Sequence, residues 1–385
     1  MDRNVHLTLC SLTPSVMPKN ILICCDGTSD EYARDSTNVR RTTHVAVRDA
    51  GQVIYYHPGV GTMAPANVRG KLRTWFRLKL DGAFAYYFED HVADAYRYLM
   101  DQYEEGDTVY LFGFSRGAYT VRALAGLIGA CGLLHKGHGH MVSYAIRYWA
   151  NKQWKACGEL KQHQGRKIEL KFMGIWDTVG SVGLFNFNRT FPGTDKDSPV
   201  RIVRHAVAVD ERRAGFRQNL MQVAPAKNGE EQRDVQNVLF PGVHCDVGGG
   251  YPAKDAALSK IAFGWMMREA HAAGMDVDHA ALDALLTNPA PDPVGPMHRS
   301  LKGAWYIVEL IPRRRFNWVT KRKEWRWPRI GEPRWFFKPE RRPPDAAVAV
   351  HRSVYERMEN CADYRPPNVP HDVKELEGCG IHVVP

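Results

Sequence analysis

The sequence has 385 residues, of which 44% are hydrophobic and 24% are charged, and this composition is typical of a folded globular protein rather than a disordered chain. Its formal net charge of +10 favours an anionic partner, such as a membrane surface, a nucleic acid or an acidic substrate. The first residues lack the apolar core of a secretory signal, and the best apolar stretch, residues 123–134, falls short of the ~18 residues that a membrane span requires.

Short apolar runs alternate with helical patterns over most of the chain. Strands are predicted over residues 20–25, 52–56, 108–112, 170–176 and 238–243, and helices over residues 84–103, 118–128 and 255–273. Strands that alternate with helices form a parallel sheet with helices on both faces, so the sequence predicts a doubly wound, mainly parallel α/β fold. Polar residues that follow these strands should then meet at one edge of the sheet, where ligands bind in such folds.

A G-x-S-x-G motif lies between the strand that starts at Thr108 and the helix that follows it. Gly113, Ser115 and Gly117 form the motif, and this strand-to-helix context is the one required for a nucleophile elbow of an α/β-hydrolase. Glycines are needed because neighbouring segments approach the turn very closely, whereas the serine hydroxyl is left exposed at the sheet edge. The alternative interpretation of Ser115 is an ordinary helix N-cap.

A serine hydroxyl needs a base and an acid, and α/β-hydrolases supply them in the chain order serine, acid, histidine. Asp177 ends the predicted strand at 170–176, and His244 ends the predicted strand at 238–243. The sequence therefore predicts a triad of Ser115, Asp177 and His244. Asp246 is the rival acid and His351 the rival base.

The tetrahedral intermediate of acyl transfer needs two backbone N–H donors. One is predicted at Arg116, directly after the nucleophile, and the other in the turn that follows the first strand, at Gly27 or Thr28. An ordinary strand-ending turn is the alternative interpretation of Gly27 and Thr28.

Several ordered blocks of the sequence resemble one family of α/β-hydrolase domains, which includes the first class of type VI secretion lipase effectors. The blocks are CDGT at 25–28, TNV at 37–39, GVGT at 59–62, GFSRGAYT at 113–120, WDTVGS at 176–181, HAVAVDERR at 205–213, PGVHCDVGGGY at 241–251 and HRSVYERM at 351–358. The resemblance covers about residues 18 to 275 and implies an α/β-hydrolase fold. It also implies a phospholipase or lipase with Ser115, Asp177 and His244 as its triad, and secretion by a type VI system if the chain is an effector. Effectors of this family often carry large membrane-binding regions, whereas this chain has only about 110 residues beyond residue 275, so it resembles a stand-alone member of the family.

The character of the chain changes near residue 290, where proline becomes frequent. We therefore predict a catalytic core over residues 18–290 and a C-terminal extension over residues 291–385 that packs on the core as a hairpin or lid. Within the extension, residues 313–342 hold twelve Lys or Arg against three Glu, interleaved with Trp318, Trp325, Trp327 and Trp335. This block fits a hairpin with solvated charges, contact with an anionic membrane, or single-stranded nucleic acid.

Two other functions remain compatible with the sequence. One is an esterase or thioesterase that acts on a soluble substrate, because the same triad serves every acyl transfer. The other is an anion- or nucleic-acid-binding protein with a vestigial hydrolase core, which the intact triad argues against. No cofactor and no metal site are predicted, since His135, His138 and His140 lack an acidic or cysteine partner at ligand spacing. Eight cysteines without a C-x-x-C pair indicate reduced thiols and a protein made in the cytoplasm.

Overall fold

The computed structural model describes residues 17–27, 36–59, 88–179, 191–196, 198–213, 216, 219–226, 231–303, 305–310, 313–317, 319–326, 330, 346–378 and 381–385. The strands are β1 (Asn20–Cys25), β2 (Gln52–His57), β3 (Thr108–Phe114), β4 (Leu133–Leu134), β5 (Gly165–Arg166), β6 (Glu169–Trp176), β7 (Ile202–Ala208), β8 (Asp234–Phe240), β9 (Arg313–Asn317), β10 (Arg322–Arg326), β11 (Val348–His351) and β12 (His382–Val384). The helices are α1 (Asn38–Val45), α2 (88–102), α3 (Arg116–Cys131), α4 (Val142–Ala150), α5 (Trp154–His163), α6 (His244–Gly248), α7 (Ala257–Ala272), α8 (His279–Thr287), α9 (Trp305–Glu309), α10 (Ser353–Asn360) and α11 (Val373–Gly378).

A parallel sheet forms the centre of the molecule. Among the described residues it has eight strands in the order β12-β11-β8-β7-β6-β3-β1-β2, and every neighbouring pair runs parallel. The order reverses between β1 and β3, which creates the kind of switch point where ligands bind in open α/β sheets. The predicted α/β fold with a parallel sheet is confirmed.

The central strands are buried on both faces, which explains why they read as continuous apolar runs rather than alternating patterns. In β1, Ile21 and Ile23 pack into the core under α2 to α5, whereas Leu22 and Cys24 pack on the opposite face under α1, α7 and α8. Alternate residues of one strand point to opposite faces, and the two cores lie on the two sides of the sheet. The sheet is therefore doubly wound, as predicted.

The strand register brings the ends of neighbouring strands level. Phe114 at the end of β3 pairs with Trp176 at the end of β6, and Trp176 pairs with Ala206 of β7. The residues that follow β3 and β6 thus leave the sheet side by side at the same edge. Parallel strands make this inevitable, because all their carboxyl ends face one way.

The strand predicted at 238–243 is displaced in the structure. β8 begins four residues earlier, at Asp234, and ends at Phe240, because Pro241 cannot donate a ladder hydrogen bond and Gly242 adopts a positive φ of 107°. His244 consequently does not end a strand but is the first residue of the short helix α6.

Two strands from beyond residue 290 belong to the main sheet. β11 pairs with β8, and β12 pairs with β11, so the extension extends the sheet on the β8 side. Earlier in the extension, β9 and β10 form a separate antiparallel hairpin with Arg322 opposite Asn317. Trp318, Trp327, Trp335 and residues 331–342 of the basic block lie outside the described residues. Within the described part of the chain, no helix combines the length and apolarity that crossing a bilayer needs.

Candidate active site

Ser115 occupies a sharp turn between β3 and α3. Its backbone has φ 57° and ψ −117°, a conformation that costs energy for any residue other than glycine and is typical of functional turns. The two glycines of the motif are explained by contact. A Cβ added to Gly113 would lie 2.6 Å from Ala118 Cα, and one added to Gly117 would lie 2.1 Å from the carbonyl oxygen of Cys25. Any side chain at either position would force the turn away from β1 or α3.

Asp177 directly follows β6 and is almost completely buried. Its backbone N–H donates to the carbonyl of Ala206 at 2.7 Å, and its Oδ1 accepts the N–H of Ala208 at 3.0 Å, so the neighbouring strand β7 fixes both ends of the residue. The buried imidazole of His205 supports the same turn, because its Nε2 accepts the N–H of Thr178 at 3.1 Å. One carboxylate oxygen, Oδ2, is left to interact with another group.

His244 begins α6, and its ring is packed between two aromatic side chains. The Phe114 ring lies 4.6 Å from the imidazole, and the Phe216 ring contacts it edge-on at 4.9 Å, both measured between centroids. Gly248 makes room for this arrangement, since a Cβ there would lie 1.9 Å from the Phe114 ring. The glycine-rich stretch after His244 therefore serves close packing.

The three predicted triad residues form a continuous chain of hydrogen bonds. Asp177 Oδ2 lies 2.7 Å from His244 Nδ1, and His244 Nε2 lies 2.8 Å from Ser115 Oγ. An ionised carboxylate can only accept, so Nδ1 carries the ring proton, and Nε2 is left to accept the hydroxyl proton of Ser115. All three side chains are buried, with Ser115 the most accessible of them at 8% exposed. The arrangement can remove a proton from the serine hydroxyl.

The predicted oxyanion donors are placed only in part. Arg116 is the first residue of α3, where N–H groups are not used by the carbonyls of the helix itself, and the helix dipole there favours negative charge. Gly27 lies against the nucleophile, since a Cβ on it would be 3.3 Å from Ser115 Cβ. The N–H of Gly27, however, donates to Asp26 Oδ1 at 2.7 Å, so an oxyanion role requires this bond to be shared or broken. Thr28 lies outside the described residues.

Asp26 holds this turn at the end of β1. Its buried carboxylate also accepts hydrogen bonds from the hydroxyls of Thr37 and Tyr56, which bind Oδ2 at 2.5 and 2.9 Å. Burial raises the pKa of the Asp26 carboxyl above its ordinary value, and the hydrogen bonds from Thr37, Gly27 and Tyr56 act in the opposite direction. The turn beside Ser115 is thus fixed by the N-cap residue of α1 and by a side chain of β2.

The rival acid, Asp246, is occupied by a different histidine. Its Oδ1 lies 2.7 Å from His298 Nδ1, and its Oδ2 accepts the backbone N–H groups of Val243 and His298. The His298 ring in turn stacks on Tyr251 with centroids 3.6 Å apart. Asp246 therefore caps α6 and ties it to the segment near residue 298, whereas Asp177 is the acid that contacts His244.

The rival base, His351, lies at the end of β11 and makes other contacts. Its Nδ1 lies 2.7 Å from Ser353 Oγ, and its ring stacks on Phe240 with centroids 4.6 Å apart. Burial, followed by the positive charges of Arg268 and Arg352, lowers the pKa of His351 to about 4. These contacts give His351 a place in the packing between β8 and α10.

Replacing His351 by glutamine is expected to change stability and not hydrolysis. The folded protein binds a proton at His351 less readily than the unfolded chain, so the stability supplied by the neutral ring is complete above pH ~6.5 and is lost as the pH falls to about 4. Between pH 7 and pH 4, the free energy of unfolding measured in urea should fall by about 3 kcal/mol more for the wild type than for His351→Gln. If His351→Gln abolishes ester hydrolysis while His244→Ala retains it, His351 is the base.

Several side chains around the site were not singled out from the sequence. Glu211 is fully buried, and its carboxylate binds the backbone of His244 and the guanidinium of Arg213, which lies over the ring of Phe216. Glu211 and Arg213 lie in the block HAVAVDERR, which contributes to the family resemblance without marking either residue, and no sequence signal marks Phe216. Within the ranges that the structure describes, no cluster of three His, Cys, Asp or Glu side chains could hold a metal ion.

A family profile described as "T6SS, phospholipase effector Tle1-like, catalytic domain" matches residues 19–269, which is more than half of the chain. The chain belongs to this family. Ser115, Asp177 and His244 all fall inside the matched segment, which covers β1 to β8, α1 to α6 and most of α7. The predicted resemblance to type VI secretion lipase effectors is therefore confirmed, and the Tle1-like domain is by its description the catalytic part of a phospholipase effector.

Individual proteins are similar to this chain over part of their length. A protein of Saccharomyces cerevisiae named "Uncharacterized protein YEL023C" is 36% identical over 220 residues, which cover 52% of this chain and 32% of the yeast protein. A crystal structure of an uncharacterized protein from Pseudomonas aeruginosa has 20% identity and a TM-score of 0.39, and covers 68% of this chain and 46% of that one. A structure of the Tle1 effector bound to the VgrG spike of the type 6 secretion system has 19% identity and a TM-score of 0.35, and the match covers 61% of this chain and 52% of that one. The chain thus spans about a third of the yeast relative and about half of each structural relative.

Proposed function

We propose that this Tle1-like chain is a serine hydrolase that cleaves carboxylic esters, with Ser115 as nucleophile, His244 as general base and Asp177 as the acid that orients His244. The observation that carries the proposal is the hydrogen-bonded chain from Ser115 Oγ through the imidazole to Asp177 Oδ2, with separations of 2.8 and 2.7 Å. Its members come from three separate segments, which follow β3, β6 and β8 at one edge of the sheet. The strained backbone of Ser115 adds weight, since such strain is characteristic of nucleophile turns.

The reaction proceeds in two acyl-transfer steps. Ser115 Oγ attacks the ester carbonyl while His244 Nε2 takes the hydroxyl proton, and Asp177 stabilises the imidazolium that forms. The tetrahedral intermediate collapses when His244 returns the proton to the leaving alcohol, which leaves an acyl group on Ser115. A water molecule, deprotonated by His244, then releases the free acid and regenerates the serine. We assign stabilisation of the oxyanion to the N–H of Arg116 together with the turn at Gly27 and Thr28.

The substrate we propose is a phospholipid or another lipid ester. If a type VI system secretes the chain, we propose that it acts as an effector. The family description supports the lipid class. The β9–β10 hairpin supports contact with an anionic membrane, because Lys321, Arg322 and Lys323 are exposed there beside two exposed apolar side chains, Val319 at 65% and Trp325 at 58%. Basic and aromatic residues together suit the headgroup region of an anionic bilayer.

Charge reversal of the hairpin is expected to separate membrane binding from chemistry. Changing Lys321, Arg322 and Lys323 to glutamate removes about 1 kcal/mol of attraction per residue near an anionic surface, so vesicle binding should weaken on the order of 100-fold. Hydrolysis of anionic phosphatidylglycerol vesicles should fall accordingly, while hydrolysis of a short soluble p-nitrophenyl ester should not change. Raising the salt concentration should reduce the vesicle rate of the wild type in the same way.

The matched control carries the same change of charge at three exposed lysines outside the hairpin. Lys152, Lys155 and Lys254 are exposed, so their replacement by glutamate should leave the vesicle rate near that of the wild type. If the hairpin variant and the wild type hydrolyse vesicles at equal rates at low salt, the hairpin does not contribute to membrane contact and its charges are simply solvated. A wild type that cleaves the soluble ester and no vesicle would favour the alternative, an esterase or thioesterase of soluble substrates.

A further inference from the structure

An ion pair between the fully buried Glu211 and the partly buried Arg213 lies beside the proposed base without taking part in the hydrogen-bonded relay. Glu211 follows β7 and is fully buried, so its carboxylate requires compensating partners. Arg213 provides a bidentate contact, with Nε 3.0 Å from Oε1 and Nη2 2.8 Å from Oε2. The hydroxyl of Ser300 donates to Oε1 at 2.8 Å.

The same ion pair reaches His244 at two places. Glu211 Oε2 accepts the backbone N–H of His244 at 3.2 Å. On the other side of the pair, the Arg213 guanidinium lies 3.5 Å from the centroid of the Phe216 ring, and Phe216 contacts the imidazole edge-on. The main chain of His244 is thus held through Glu211, and its ring through Arg213 and Phe216.

This support matters because the sheet does not position His244. The residue starts the five-residue helix α6, four positions after the end of β8 and beyond the Pro241–Gly242 turn. Its imidazole must nevertheless keep both Asp177 and Ser115 within hydrogen-bond distance, and a displacement of about 1 Å at such a site can lower the rate ~100-fold.

We propose that Glu211 and Arg213 are positioning residues that hold His244 in the orientation for proton transfer. The inference rests on the proposed function, in which His244 is the general base. It differs from a purely structural role, since a stabilising ion pair would affect folding and leave the proton-transfer step unchanged. The pair also adds one negative charge close to the backbone of His244 and one positive charge behind Phe216.

The decisive variant is Glu211→Gln, which keeps the shape of the side chain and removes its charge. We expect kcat on a soluble p-nitrophenyl ester to fall ~10- to 100-fold with little change in KM, because the chemical step and not substrate binding depends on the orientation of His244. Loss of the carboxylate leaves Arg213 uncompensated, which disfavours the imidazolium. The acidic limb of the kcat/KM profile should therefore move to lower pH.

Glu269→Gln is the matched control. Glu269 Oε2 binds the Nε of the largely buried Arg204 at 2.6 Å, and none of the hydrogen bonds or ion pairs in the described part of the chain joins that pair to His244. Glu269→Gln should lower the melting temperature without changing kcat or the pH profile of hydrolysis.

The NMR signal of the His244 Nδ1 proton, identified by its loss in Asp177→Asn, gives a readout that does not depend on turnover. It should shift or broaden in Glu211→Gln and stay unchanged in Glu269→Gln.

The outcomes separate this inference from the proposed function. Activity that survives Ser115→Ala contradicts the proposed function, whereas an unchanged kcat, pH profile and Nδ1 signal in Glu211→Gln contradicts the positioning role alone. If Glu211→Gln does not fold, Arg213→Lys decides the question, because it keeps the positive charge and removes the bidentate contact with Glu211 and the guanidinium that lies over Phe216. A reduced kcat at unchanged KM in Arg213→Lys supports the role, and wild-type kcat overturns it.

Discussion

Replacing Ser115 by alanine is expected to lower kcat for ester hydrolysis by ~10⁴ or more while the protein stays folded. The hydroxyl of Ser115 lies 2.8 Å from His244 Nε2, so its loss removes the nucleophile and the group that His244 deprotonates. Alanine also suits the fold, because removing one oxygen from a buried position creates no clash. Steady-state assays on a p-nitrophenyl ester measure kcat, and circular dichroism with thermal unfolding shows whether the variant is folded.

Ser143→Ala provides the control for this change. Ser143 is an exposed residue of α4, and the same substitution there should leave kcat at the wild-type value. Turnover in Ser115→Ala close to that of Ser143→Ala would contradict the assignment of Ser115 as nucleophile.

Replacing Asp177 by asparagine is expected to lower kcat by a comparable factor of ~10⁴. The N–H of Ala208 donates to Oδ1 of Asp177, so the amide oxygen of asparagine should remain at that position and place its NH₂ group against His244 Nδ1. The imidazole would then have to accept at Nδ1 and carry its proton on Nε2, where it can no longer take the proton of Ser115. Combining this change with Ser115→Ala should cost little beyond either single change, because triad residues act as a unit.

Asp246→Asn discriminates between the two candidate acids. Asp246 holds His298 and caps α6, so its replacement should lower thermal stability and reduce kcat far less than Asp177→Asn does. A larger loss of kcat in Asp246→Asn than in Asp177→Asn would show that the acid has been assigned to the wrong residue.

The fold could be predicted where a strand is an uninterrupted apolar run. β1, β3 and β6 are of this kind, and the sequence places each within two residues of its observed ends. β7 was missed because Arg204 and His205 interrupt its apolar run. Both are buried and depend on distant partners, Glu269 and Asp234 for the arginine and Thr178 and Asn237 for the histidine. Such pairings arise only after the chain has folded, and a sequence pattern does not contain them.

The same reasoning separates the parts of the site. Ser115, Asp177 and His244 could be selected because each follows an apolar run, and parallel strands bring such positions to one edge. The placement of His244 could not be predicted from the sequence, because it depends on a turn and a helix of five residues rather than on a strand. Glu211 and Phe216 could not be assigned either, because their contacts with His244 join segments more than 25 residues apart.

Labelling with a fluorophosphonate probe tests the central claim most directly, because this reagent reacts preferentially with a serine hydroxyl that a neighbouring base has activated. The full chain is treated with the probe and digested, and the modified peptide is identified by mass spectrometry. We expect one modified residue, Ser115, with labelling abolished in Ser115→Ala and strongly slowed in His244→Ala. A label on another residue, or undiminished labelling of Ser115→Ala, would contradict the proposal that Ser115 is the nucleophile.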